Sequence, residues 1–331
     1  MANKTVAVVG ATGAVGTEML KVLEKRNFPL KDLKLFAAPD DKGKKIKFKG
    51  EDLIVDVVEK DSFKGIDVAL FSAGGNVSKI YLKQVVDAGA VMIDNSSAFR
   101  MDPDVPLVTP EVNPEDIKKH KGVIANPNCS TIIMVVALWP IYQVSKIKRI
   151  VVSTYQAASG AGAPAMEELA NQSRQILDGK PVTKNVFPHQ IAFNLFSHNT
   201  TIGDNGYCEE EMKMINETKK MFHDESIKIS ATTIRVPIMR AHSESINIEL
   251  EKKLTLDEIY NIWKKAPGLK IVDDRKNNYF PMPVDVTNEF DIAVGRLRYD
   301  LSNDKGYDMF VSGDQILKGA ALNAVQIAEL L

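Results

Sequence analysis

Thr5-Val6-Ala7-Val8-Val9-Gly10-Ala11-Thr12-Gly13-Ala14-Val15-Gly16 decides how this chain begins to fold. Thr5 to Val9 is apolar after its first residue and reads as a short buried strand. Val15, Met19, Val22 and Leu23 then recur at helical spacing and mark one face of an amphipathic helix. Gly10, Gly13 and Gly16 stand between strand and helix. Glycine lets backbone approach a pyrophosphate closely, and a helix start offers oriented N–H groups and the positive end of its dipole. The spacing is G-x-x-G-x-x-G rather than G-x-G-x-x-G, so the strand–turn–helix context carries the reading. A tight turn with no ligand is the bland alternative. Lys4 before an apolar stretch resembles a secretory leader superficially, but no small-residue cleavage site follows. A buried first strand is expected.

The same rhythm continues outward from this turn. Leu33 to Ala37 reads as a second strand, and Ile46 to Val58 as a hairpin or two short strands split by Gly50. Asp67 to Ala73 is a further strand, and Val77 to Ala88 has helical periodicity. Val91 to Asp94, Leu107-Val108 and Val123-Ile124 supply more strands, so a parallel sheet covered on both faces is expected. After Cys129 the pattern changes. Ser130 to Val144 reads as a buried helix interrupted by Pro140. Ile150 to Tyr155, Thr232 to Val236, Ser245 to Leu250, Asp291 to Arg298 and Tyr307 to Val311 alternate as longer strands. Helices over Ala165 to Leu177 and Leu256 to Lys265 separate them, which suits a mixed sheet with one covered face. Gln315 to Leu331 reads as an amphipathic helix that returns to the first domain. The expected fold class is α/β, with a Rossmann-type dinucleotide-binding domain over 1–128 plus 312–331. A second α+β domain over 129–311 carries substrate specificity and an oligomer interface.

Bulk properties exclude several classes. The 331 residues suggest two domains, and 44% hydrophobic with 26% charged residues is ordinary for a globular protein. A net charge of −1 supplies no field for nucleic acid or an anionic membrane. Ile132 to Trp139, the longest apolar run, falls far short of the ~20 residues that span a bilayer. Two cysteines, Cys129 and Cys208, make no disulfide framework and fit a reducing cytoplasm.

Asn126-Pro127-Asn128-Cys129-Ser130-Thr131 lies between a strand and an apolar helix, so Cys129 is expected at a helix N-terminus. That position lowers a thiol pKa and favours the nucleophilic thiolate. An inert core cysteine fits the local sequence equally well. A nucleophile needs a base, and His242, just before a strand, is the candidate, with a surface or core histidine as the alternative. His120, His189, His198 and His223 have no comparable setting, and no histidine spacing suggests a metal.

Taken together, five segments carry a resemblance. Gly10 to Gly16, Asn126 to Thr131, Ser153 to Gly160, Glu210-Glu211-Met212-Lys213 and Arg235 through Ser245 resemble the aspartate-semialdehyde dehydrogenase family, in the family's order. The likeness extends to Leu317-Lys318-Gly319-Ala320-Ala321 and so covers essentially the whole chain. It implies a glyceraldehyde-phosphate-dehydrogenase-like pairing of domains. It also implies reductive dephosphorylation of L-aspartyl 4-phosphate to L-aspartate 4-semialdehyde with a reduced nicotinamide cofactor, NADP by family expectation. The family's pattern makes Cys129 the nucleophile, His242 the general acid/base and Gln156 the group orienting the acyl carbon. Arg235 is matched to the substrate α-carboxylate, Glu210 to its ammonium, and Lys213 and Arg100 to phosphate. Asn128 either holds the oxyanion or shapes the turn. For Arg100, Lys213 and Glu210 a solvated surface charge is the alternative. Gly10, Thr12, Gly13, Ala14, Val15, Ala73, Ser159, Gly160 and Gln326 are the implied cofactor contacts. The implied partners are substrate, phosphate and a second copy of the chain, as homodimer or homotetramer.

One region departs from the family. The serine and arginine that bind the 2′-phosphate of NADP there fall on Ala38, Asp40 and Asp41. An acid at this place is what NAD binders use on the ribose 2′-OH. Repulsion of roughly 1–4 kcal/mol against a 2′-phosphate shifts preference from about fivefold to nearly a thousandfold. NAD use is therefore expected as possible, with Lys42, Lys44 and Lys45 as a partial offset. N-acetyl-γ-glutamyl-phosphate reductase is the nearest alternative, but its acylated substrate nitrogen has no use for Glu210. A glyceraldehyde-phosphate-type dehydrogenase has no use for the Glu210–Arg235 clamp, and a Cys–His hydrolase none for the glycine turn. A non-catalytic Rossmann-type sensor predicts that Cys129 is inert to alkylation.

Overall fold

A computed structural model of the chain describes residues 3–331; the first two residues of the expected 1–128 domain lie outside the described residues. The chain divides into two units, Met1–Asn128 with Ala320–Leu331, and Cys129–Gly319.

In the first unit β1 (Lys4–Val9), α1 (Ala14–Lys25), β2 (Leu30–Phe36), β3 (Lys45–Phe48), β4 (Glu51–Asp56), β5 (Val68–Phe71), α2 (Gly75–Asp87), β6 (Val91–Asp94) and β7 (Val123–Ala125) follow one another. They build a seven-stranded sheet ordered β3-β4-β2-β1-β5-β6-β7. Its strands are parallel except for the β3–β4 hairpin. β1 is central, so Val6 to Val9 are covered on both faces and at most 3% exposed, which explains the unbroken apolar run. Met19, Leu20, Val22 and Leu23 form the buried face of α1. Leu107 makes a single bridge to Ala125 rather than a strand. The flanking Pro106 and Pro110 lack the N–H groups a longer ladder needs.

The second unit begins with α3 (Cys129–Tyr142) and β8 (Ile147–Gln156), then α4 (Ala163–Leu177), β9 (Phe196–Ser197), α5 (Glu209–Phe222), β10 (Lys228–Arg235) and β11 (His242–Leu250). It continues with α6 (Leu256–Lys265), β12 (Leu269–Ile271), α7 (Pro283–Val286), β13 (Ile292–Tyr299) and β14 (Gly306–Gly313). The seven strands are ordered β12-β13-β14-β11-β8-β10-β9. β8–β10 and β12–β13 pair in parallel and the others antiparallel, giving a mixed sheet. α3 packs on β8, β13 and β14 and also meets α5 and α6. Surrounded in this way, it buries every residue from Ser130 to Leu138, with Pro140 tolerated in its last turn.

At the C-terminal end the structure corrects two expectations. Residues 312–319, expected with the first domain, stand in the second unit. β14 runs on to Gly313, and the Asp314 carboxylate then accepts the backbone N–H groups of Ile316 and Leu317. The single amphipathic helix expected over Gln315 to Leu331 is instead a wide π-type turn, Leu317–Ala321, followed by α8 (Leu322–Glu329). Gln315 through Val325 is buried on all sides, so no polar face exists to make it amphipathic. α8 packs on α1, β5 and β6 and completes the first unit. There the Asn323 amide donates to Val108 O at 3.0 Å and Asn126 Oδ1 at 2.6 Å. Among the described residues no helix is long and apolar enough to cross a membrane, and no group of His, Cys, Asp and Glu could hold a metal.

Candidate active site

Strand register in the second unit gathers the polar residues. Parallel pairing sets Arg235 of β10 beside Gln156 of β8. On the other side of β8, antiparallel pairing sets Ser243 opposite Tyr155, so His242 comes level with Gln156 one step on. Residues level across a ladder share a face. Arg235, Gln156 and His242 thus form a row, at 3%, 1% and 0% exposure. Thr233, Thr154 and Glu244 form the row behind it.

The Ala157 N–H donates to His242 Nδ1 at 3.0 Å. A neutral ring with Nδ1 accepting carries its proton on Nε2, and that atom is buried without a partner among the described residues. Burial first, then the Arg235 charge, pulls this imidazole down to about 3 against the opposing Glu210 carboxylate. His242 is therefore a neutral N–H donor at physiological pH. Ala241 before it has φ +74°, an unfavourable backbone for a residue with a Cβ. Its N–H donates to Gln315 Oε1 at 2.8 Å, and Gln315 Nε2 donates to Ser159 Oγ, so one amide pins the turns on both sides of His242.

Arg235 donates from Nη1 to Ala157 O at 2.7 Å and from Nη2 to His198 Nε2 at 2.8 Å. Its guanidinium lies 5.6 Å from the Phe187 ring centre, and its buried Nε has no partner among the described residues. Burial lowers the Arg235 pKa while charges at Glu210 and Cys129 oppose that, which puts both groups within electrostatic reach. Glu210, in the first turn of α5 and 5% exposed, accepts Gln156 Nε2 at 3.2 Å and Lys213 Nζ at 3.0 Å. Thr154 Oγ1 donates to Gln156 Oε1 at 3.1 Å, which orients the amide with its N–H groups toward Glu210. The surface-charge alternative fails for Glu210, while Lys213 keeps part of its side chain in solvent.

Cys129 opens α3 and is half-buried, where the helix dipole favours a thiolate and no acid stands in the first turn. A Cβ on Gly319 would lie 2.8 Å from Cys129 Cβ, so glycine is needed for the chain to pass. A Cβ on Gly160 would lie 3.0 Å from Arg235 Nη1 and 3.3 Å from His242 Nε2. Gly160, expected on the cofactor, thus abuts Arg235 and His242. His198, expected to have no setting comparable to His242, is corrected: it holds Arg235. Its loop has no periodicity that reveals this. Gln315 likewise gave no local signal, whereas Gly319 falls within the Leu317–Ala321 stretch of the family likeness.

In the first unit Gly10, Thr12, Gly13, Ala14 and Val15 occupy the turn from β1 into α1, and Ala73 follows β5 beside Gly10. A Cβ on Gly10 would meet Ser72 O at 2.4 Å and one on Gly16 would meet Gly10 O at 2.1 Å. α1 has no side-chain cap and no acid in its first turn, leaving its N–H groups for an anion. This cradle fits a dinucleotide pyrophosphate. Asp40 and Asp41 lie in the short turn Pro39–Asp41 after β2. Lys44 first, and the Thr12 hydroxyl second, hold the Asp41 carboxyl below its ordinary range. Lys42 pairs with Asp56 at 3.0 Å and Lys45 with Asp52 at 3.5 Å, so all three lysines are committed to carboxylates. Arg100 is 8% exposed and donates to Asn126 O at 2.9 Å and Asn95 O at 2.8 Å, which removes its surface-charge alternative. Asn128 is 5% exposed. Gln326 on α8 donates to Glu111 Oε1 at 3.2 Å.

The chain is similar to known proteins over most of its length. The family model described as "Semialdehyde dehydrogenase, NAD binding domain" matches residues 5–120, and "Semialdehyde dehydrogenase, dimerisation domain" matches 138–318. The chain is 56% identical to the aspartate-semialdehyde dehydrogenase of Synechocystis sp. over 98% of its own length and 96% of that protein. It is 55% identical to that of Aquifex aeolicus, over 98% and 97%. The Vibrio cholerae structure described as aspartate semialdehyde dehydrogenase II complexed with ASA superposes with a TM-score of 0.97 at 43% identity, covering 100% of this chain and 98% of that one. By sequence and by structure, the chain belongs to the aspartate-semialdehyde dehydrogenase family.

Proposed function

We propose that Cys129, His242, Gln156, Arg235, Glu210 and Lys213 divide between them the reductive dephosphorylation of L-aspartyl 4-phosphate to L-aspartate 4-semialdehyde. This is the oxidoreductase step of the family, in the biosynthesis of lysine, threonine, methionine and isoleucine. The observation that carries the division of labour is the buried row Arg235–Gln156–His242, with Glu210 hydrogen-bonded to Gln156. Arg235 meets the α-carboxylate with its remaining N–H groups, Nε among them. Glu210 takes the α-ammonium, and Lys213 and Arg100 take the phosphate. Gln156 orients the acyl oxygen, and Asn128 either holds the oxyanion or shapes the turn before Cys129. Fixing both ends of the amino-acid backbone spends remote binding energy on aligning the reacting carbon.

Cys129 Sγ attacks the acyl carbon, and the bond to the phosphate oxygen breaks, with phosphate leaving on that electron pair. A reduced nicotinamide, when bound, would supply hydride for the thioester carbon. The resulting oxyanion on Cys129 re-forms its carbonyl as the C–S bond breaks, giving aldehyde and restoring the thiolate. The steps at the carbon and sulfur are proton-neutral, and the departing phosphate takes up one proton from solvent to become hydrogen phosphate. His242 Nε2–H therefore contributes as a hydrogen-bond donor to the oxyanion, which narrows the general acid/base role expected of it.

Gly10, Thr12, Gly13, Ala14, Val15 and Ala73 hold the cofactor, with Ser159, Gly160 and Gln326 assigned to it by family likeness. NADP is the cofactor of the family. Asp40 and Asp41 add tolerance of NAD in this chain, because the neighbouring lysines are already paired. The enzyme works in the cytoplasm and self-associates as a homodimer or homotetramer through the second unit. Phosphate-dependent reduction of NADP by aspartate semialdehyde, run beside Cys129→Ala, tests the assignment. Activity in the parent and none in the variant is expected; activity surviving the substitution ends the thioester route.

A further inference from the structure

We propose that His198 is a positioning residue for substrate recognition, fixing the Arg235 guanidinium in the plane that receives the α-carboxylate. The inference rests on the carboxylate role of Arg235 given above. The contact is His198 Nε2 to Arg235 Nη2 at 2.8 Å. A guanidinium only donates, so Nε2 must be the acceptor and the neutral ring carries its proton on Nδ1. Nδ1 faces Thr200 Oγ1 at 3.3 Å, and Thr200 Oγ1 accepts the backbone N–H of Glu210 at 3.2 Å. The other guanidinium terminus donates to Ala157 O at 2.7 Å, and the Ala157 N–H donates to His242 Nδ1 at 3.0 Å. One hydrogen-bonded chain thus runs Glu210–Thr200–His198–Arg235–Ala157–His242. It joins the ammonium clamp, the carboxylate clamp and the donor at the reacting centre.

Two acceptors, His198 Nε2 and Ala157 O, hold the two ends of the fork, and Phe187 lies against it at 5.6 Å. Rotation of the guanidinium about its long axis breaks one or both bonds. With the acceptor at position 198 removed, Nη2 loses its anchor and the fork its fixed plane. The environment keeps the imidazole in the accepting form. Burial, with Arg235 and Lys213, outweighs Glu210 and Glu211 and holds His198 at about 4. His198 is not a proton carrier here, because its lone pair faces a group that gives up no proton.

The position therefore needs an acceptor rather than a titrating group. Steady-state kinetics with aspartate semialdehyde, phosphate and NADP on H198L and H198Q test this. H198L is expected to raise KM for aspartate semialdehyde about tenfold or more while KM for NADP stays at the parent value. H198Q, whose side-chain carbonyl accepts from Nη2, is expected to stay within about threefold of parent. H198A serves the same comparison if H198L does not fold. Parent-like KM in the acceptor-less variant, or H198Q as impaired as H198L, overturns the proposal. Arg235→Ala separates the two readings. Parent-like R235A sinks the carboxylate clamp itself, whereas an impaired R235A with a parent-like H198L sinks only the role of His198.

Discussion

The glycine turn of the first unit and the polar row of the second prepare for negative charge in opposite ways. At the turn, backbone does the work: the helix start is uncapped, and added Cβ atoms on Gly10 and Gly16 would fall within 2.4 Å of carbonyl oxygens. Side-chain chemistry enters at Thr12, whose hydroxyl donates to Asp41, and at Thr17, whose hydroxyl donates to Gly13 O and Ala14 O at 3.0 Å. In the row, side chains do the work and backbone holds them: Ala157 alone gives its carbonyl to Arg235 and its N–H to His242. The turn is defined by what must be absent there, a Cβ, whereas the row is defined by protonation states that burial enforces. A neutral histidine and a charged arginine remain side by side because each has a fixed hydrogen-bond direction.

Removing His242 should break the row most severely. His242→Ala is expected to lower kcat by about 10²–10³, the usual loss of one oxyanion donor. His242→Gln, still an N–H donor, is expected to recover part of it. With the imidazole held at about 3, kcat against pH should show no limb from this group at ordinary assay pH. A limb near pH ~6.5 that vanishes in H242Q would instead show a titrating base.

At the turn the expected effect is smaller and concerns selectivity. Asp41→Ser removes the acid bonded to Thr12 and paired with Lys44. Dissociation constants for NADP and NAD, read by fluorescence titration, should shift about fivefold or more toward NADP. An unchanged ratio would show that Asp41 does not face the 2′ position.

Glu244 sharpens the contrast at the smallest scale. It lies in the row behind His242, fully buried, with both carboxylate oxygens unpartnered among the described residues, and burial raises its pKa well above the usual carboxylate value. The folded state therefore binds a proton that the unfolded chain releases above about pH 4.3. Stability attributable to this group is present below that pH and falls as pH rises toward the folded pKa. Glu244→Gln, a neutral near-isostere, is expected to raise Tm by a few degrees at pH ~8 and to leave it unchanged at pH ~4. A lower Tm at both pH values would mean that the carboxyl group has a partner that Gln does not replace.

The two regions also differed in how much of them could be read in advance. The turn was legible because strand, glycines and helix are contiguous, and each is forced by its own local geometry. Cys129 was legible as a helix start, though an inert core thiol fitted as well until distant residues were considered. Arg235, Glu210 and Arg100 were assigned by likeness alone; their burial was invisible because periodicity does not report it. His198 was missed because its partner lies 37 residues away and its loop has no pattern. The segment after Gly313 was misread as one amphipathic helix because its apolar residues were expected to form one face. They are buried on every side, and Gly319 there passes close to Cys129.

The most direct measurement is mass spectrometry of the enzyme quenched after mixing with aspartate semialdehyde and NADP in the absence of phosphate. An aspartyl adduct on the peptide containing Cys129 is predicted, formed with a stoichiometric burst of NADPH and discharged when phosphate is added. A burst with no adduct, or an adduct on Cys208 instead, would contradict the thioester at Cys129.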